Sequence, residues 1–68
     1  MIHVGSIIKE TLKKKGKSVT WFANEMCCTR TNVYKIFRKK SIDTDIIWRA
    51  SQVLECNLFE LISNKLNN

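Results

Sequence analysis

Apolar residues recur along this chain at three- and four-residue intervals from one end to the other, and nowhere do they alternate with polar ones over a strand-length run. Val4, Ile7, Ile8 and Leu12 form the first stripe, which stops at Gly16 and a lysine-rich tail. Ser18 opens a second, short segment with Val19, Phe22, Ala23 and Met26. Thr29 caps a third that buries Val33, Ile36 and Phe37, and Asp43 or Ser41 a fourth with Ile46, Ile47, Ala50, Val53 and Leu54. Asn57, with Glu60 three residues later, resembles a capping box ahead of a fifth segment containing Leu58, Phe59, Leu61, Ile62 and Leu66. The pattern predicts an all-α fold of five short helices, with no internal repeat and no low-complexity linker. All of residues 1–68 are expected to form a single domain.

Length adds a constraint. A chain of 68 residues buries roughly 60% of the surface its unfolded form exposes, which makes its own core marginal and help from a second chain natural. No apolar run approaches the ~20 residues that span a bilayer. The first residues lack a basic stretch followed by a long apolar core and a small-residue cleavage site, so a cytoplasmic protein is expected.

Charge separates the two halves. From Lys9 to Lys40 there are ten Lys/Arg against Glu10 and Glu25, a net +8. From Ser41 onward Arg49 and Lys65 oppose Asp43, Asp45, Glu55 and Glu60, a net −2. One basic face on a small domain points to a polyanion, most often nucleic acid. On a helix starting at Arg30, at about 100° per residue, Thr31, Tyr34, Lys35 and Arg38 share with Arg30 an arc of roughly 140°, opposite Val33, Ile36 and Phe37. Arg30 and Lys35 can donate to guanine, Thr31 can touch a thymine methyl, Tyr34 offers a ring and a hydroxyl, and Asn32 can reach adenine or a phosphate. An ordinary solvated face would mix acids among the bases, and this one has none.

The stretch Asn24–Lys40, NEMCCTRTNVYKIFRKK, raises the question of metal or thiol chemistry. Cys27, Cys28, Cys56 and His3 lack the spacing that seeds a zinc site, and neighbouring cysteines make a strained disulfide. Neither metal nor cofactor is expected. With one histidine, no glycine-rich phosphate loop and no serine beside a base, catalysis is not expected either.

Ala23 lies four residues before Cys27, Val33 six after it and Ile36 three beyond that, with Phe22, Met26 and Cys28 at the other apolar positions. This spacing resembles the helix-turn-helix of the Cro and lambda-repressor-like (XRE) family, and the likeness spans essentially the whole chain. Cys27 stands where that family usually has glycine. The resemblance implies a helix-turn-helix on helices two and three and major-groove reading by Arg30, Thr31, Asn32, Tyr34 and Lys35. It also implies phosphate contacts from Ser18, Thr20, Thr29, Arg38, Lys39, Lys40 and Ser41. Pairing through Leu58, Phe59, Leu61, Ile62 and Leu66 would give a homodimer on a palindromic double-stranded DNA operator. The expected role is a small transcriptional regulator, a repressor, with no small-molecule effector and no membrane partner. The competing readings are a protein-interaction adaptor and a basic amphipathic membrane surface, the latter weakened because helix one's apolar residues are needed for the core.

Overall fold

The computed structural model describes residues 2–66, and among them the chain is all-helical, without a strand: α1 Val4–Lys14, α2 Val19–Glu25, α3 Arg30–Arg38, α4 Thr44–Leu54 and α5 Leu58–Leu66. Helix ends follow side-chain chemistry. Ser18 Oγ accepts the Trp21 amide at 3.0 Å, Thr29 Oγ1 the Asn32 amide at 3.2 Å, and Asn57 Oδ1 the Glu60 amide at 3.2 Å, each satisfying a first-turn donor that has no partner inside its helix. Asp43 precedes α4 but makes no side-chain cap. The N-terminal end of α5 is held a second time by Ser51, whose Oγ accepts the Leu58 amide at 3.2 Å and donates to the Ile47 carbonyl at 2.8 Å.

Three helices stop in the same way. Gly16 (φ 72°), Cys27 (φ 56°) and Glu55 (φ 53°) are left-handed, and the amides at and after each fold back on the preceding turn. These pairs are Gly16 to Lys13 and Lys17 to Leu12, Cys27 to Asn24 and Cys28 to Ala23, Glu55 to Gln52 and Cys56 to Ser51.

Ile8, Phe22, Val33 and Leu58 are almost wholly buried and come from α1, α2, α3 and α5. Ala50 of α4 is 1% exposed and completes the meeting point. Fully burying a large aliphatic or aromatic side chain is worth about 1.5–3 kcal/mol, so a few such residues supply much of what a chain this short has. Thr11 joins the core because its hydroxyl donates to the Ile7 carbonyl at 2.8 Å.

The start of α1 abuts the end of α3. The Val4 amide donates to the Lys40 carbonyl at 3.0 Å and the Gly5 amide to the Lys39 carbonyl at 2.9 Å. His3 caps α1 by accepting the Ser6 amide on Nδ1 at 3.1 Å, which leaves the ring proton on Nε2, 3.2 Å from the Arg38 carbonyl. Donors freed at one helix end thereby meet acceptors freed at another. Contact this close requires Gly5, since a Cβ there would lie 2.5 Å from the Phe37 carbonyl oxygen and 2.7 Å from its carbon, and closer still to the Ile36 oxygen.

Helix propensity alone says Gly5→Ala should stabilise by about 1 kcal/mol. The junction reverses the sign, and a loss of about 2 kcal/mol or more is expected from displaced backbone and broken end-to-end bonds. Denaturant unfolding decides it, with a gain in stability refuting the role given to Gly5.

Candidate nucleic-acid interface

Helix α3 is amphipathic in the sense its sequence implied. Val33, Ile36 and Phe37 are buried against the rest of the domain, while Arg30, Thr31, Asn32, Lys35 and Arg38 are exposed and Tyr34 is 49% exposed. Tyr34 is steadied by Phe37, their rings meeting edge to face with centroids 6.2 Å apart and planes at 83°. The exposed surface has two edges. Arg30, Tyr34 and Arg38 recur every fourth residue along one; Asn32, Lys35 and Lys39 run along the other, and all three of the latter line an open groove with Arg49 of α4. Thr31 lies between them.

The helix is held at both ends. At its start, the turn from α2 uses left-handed Cys27, and Arg49 Nη2 donates to the Met26 carbonyl at 2.9 Å, pinning the end of α2 to α4. At its finish, the Arg38, Lys39 and Lys40 carbonyls are taken by His3, Gly5 and Val4. The exposed Lys39 and Lys40 side chains and Ser41 therefore leave from a fixed backbone. Ser18, Thr20 and Thr29 are also exposed, but Ser18 and Thr29 already use their hydroxyl oxygens as helix caps. Lys17 Nζ sits 5.3 Å above the Trp21 ring, anchoring part of the lysine-rich segment beside the start of α2.

The residues expected at a dimer contact do not share one surface. Leu58 is 0% exposed and belongs to the monomer's own core, which removes it from any contact with a second chain. Its periodic position in α5 aims it between α1 and α4, and that burial could not be told from a partner contact by spacing alone. Leu61 shares a groove with Ile7 and Lys14 of α1, whereas Phe59 borders a different groove with Trp48 of α4. Ile62 is half-buried against the core. Trp48 is 59% exposed and Leu66 70%.

Four contributors escaped the sequence reading: Gly5, His3, Arg49 and Trp48. Trp48 left a signal, because it falls outside the apolar stripe of α4 and a large apolar residue off-stripe has no place in the core. Gly5 left a weaker one, a poor helix former inside a first turn. Arg49's bond to Met26 spans 23 positions and leaves no local trace.

Cys27 is exposed, Cys28 and Cys56 are half-buried, and all three are free thiols. Among the described residues no three His, Cys, Asp or Glu side chains gather as a metal site would require. No helix among the described residues is long and apolar enough to cross a membrane. Comparison with protein-family models, with curated proteins and with solved structures gives no significant match.

Left-handed Cys27 carries strain of roughly 1 kcal/mol relative to glycine. Cys27→Gly is expected to stabilise the fold by a few tenths to about 1 kcal/mol, partly offset by glycine's larger unfolded-state entropy. Thermal and denaturant melts measure this, and a clear destabilisation would show that the thiol contributes packing that outweighs the strain.

Proposed function

We propose that the chain is a sequence-specific double-stranded DNA-binding protein with a lambda-repressor-like helix-turn-helix formed by α2 and α3, acting as a small transcriptional repressor. The observation that carries this reading is the exposed face of α3: six hydrogen-bonding side chains, three of them cationic and none acidic, on a helix fixed at both ends. An α-helix fits the major groove of B-DNA, and bidentate donors such as arginine distinguish guanine there. The net +8 of residues 9–40 supplies long-range attraction and the sequence-independent part of the affinity. Base reading falls to Arg30 and Thr31 near the start of α3, with Asn32 and Tyr34 along it. Phosphate contacts fall to Arg38, Lys39, Lys40 and Ser41 at its end and to Ser18, Thr20 and Thr29 across the turn.

Two copies would read a palindrome with half-sites about 34 Å apart. Trp48 of α4 and Phe59, Leu61 and Leu66 of α5 are exposed large apolar side chains, and of these Trp48, Phe59 and Leu66 are the surface we assign to pairing, with half-buried Ile62. The same surface is what favours the alternative, a protein-interaction adaptor. Steep salt dependence of duplex binding separates the two.

Arg30→Ala is expected to cost about 1–3 kcal/mol on a preferred operator selected from random duplexes, and much less on random sequence. Lys40→Ala should weaken both equally and lower the salt slope by about one. Equal losses for Arg30→Ala on both duplexes, with a reduced slope, would make Arg30 a clamp and overturn the reading face.

For pairing, Trp48→Ser is expected to shift sedimentation toward monomer and abolish cooperative filling of the palindrome while single half-site affinity stays. Unchanged cooperativity would remove Trp48 from the contact.

A further inference from the structure

Between α3, α4 and the turn after α2 lies an open groove of ≈290 Å³. Its rim carries Lys35, Lys39 and Arg49 with Asn32, its floor is apolar at Ile36 and Ile46, and no carboxylate lines it. Three exposed cations line one groove without an acid among them, which leaves a screened mutual repulsion. An anion in the groove relieves it. Arg49 is not free to swing away, because its Nη2 is tied to the Met26 carbonyl at 2.9 Å, while the rest of its N–H fork remains to donate. A held guanidinium beside two exposed ammonium groups and an amide matches the oxygens of a tetrahedral phosphate, which accept from several directions at once.

We infer that this groove is a phosphate site that takes one phosphodiester of a DNA backbone, with Arg49 as a contact and Lys35 as a clamp in place of a base reader. The inference rests on the reading of α3 as the helix that enters the major groove. There the two long edges of a helix face the two sugar-phosphate strands, and only its central strip and leading end meet base edges. Asn32, Lys35 and Lys39 form one such edge, with Arg49 standing outside them on α4. Phosphate contacts fix register and orientation and carry no sequence information, so Arg49 sets the docking angle from outside the two-helix unit.

The test uses the full chain and two measurements. In the first, Lys35→Ala and Arg49→Gln, the latter removing the charge and the Nη2 contact to Met26, are titrated onto preferred and random duplexes at several salt concentrations, with the melting temperature of each variant checked for an intact turn. Lys65→Ala serves as a control away from the groove. Each groove variant is expected to weaken both duplexes by the same factor and to lower the salt slope by about one. Loss confined to the preferred duplex would make Lys35 a base reader, and an unchanged slope would empty the groove of phosphate; either outcome overturns the inference. In the second, inorganic phosphate is titrated without DNA and followed by amide chemical shifts. Saturable shifts at Asn32, Lys35 and Lys39 that vanish in Lys35→Ala support the site, and shifts spread evenly over all the lysines overturn it. This arm stands even if the wild-type chain binds no duplex, which would refute the proposed function by itself.

Discussion

The arrangement depends first on one junction, the end of α3 set against the start of α1. A helix leaves unpaired acceptors at its C-terminal end and unpaired donors at its N-terminal end, and each buried orphan costs about 1–3 kcal/mol. Here Val4 and Gly5 donate to Lys40 and Lys39, and His3 donates to Arg38. The positive end of one macrodipole also lies against the negative end of the other. The lysines that leave this corner are mutually repulsive, and so is the basic surface of α3 beside it. A frayed helix end would let them separate; the backbone bonds hold them together, as the polyanion-binding surface we propose would require.

Gly5 is the condition for that junction and was absent from the sequence reading. Hydropathy finds stripes, and a glycine contributes nothing to a stripe. What the sequence made legible was periodic: five helices, their stripes, and the caps at Ser18, Thr29 and Asn57. It missed interactions that join distant positions, such as His3 with Arg38 and Arg49 with Met26. The left-handed stops divide along the same line. Gly16 announces itself chemically, whereas Glu55 is left-handed without any residue preference to betray it, because two backbone hydrogen bonds and the burial of Leu54 and Leu58 on either side hold it there.

Periodicity also placed the exposed face of α3 correctly, because a helix docked by one stripe must present the opposite one. It could not apportion the residues of α5, where the apolar positions outnumber what one stripe requires. Leu58 went to the core, Leu61 to the α1 side, Phe59 to the groove with Trp48, and Leu66 to the exposed surface. Only packing decides among such positions, since each satisfies the same spacing rule.

The small core and the charged surface are linked. With few fully buried side chains, the domain cannot offset many repulsive contacts, yet its net charge is +6. Exposed like charges cost little each because water and salt screen them, so the basic residues are tolerated where they are solvated, along α3 and the segment before α2. Arg49 is the exception in kind. It is drawn onto the Met26 carbonyl, so one cation stabilises the turn and remains beside Lys35 and Lys39. A basic groove built around an arginine already fixed by the fold loses less side-chain entropy on meeting an anion than one built from free lysines, and that difference is retained as affinity.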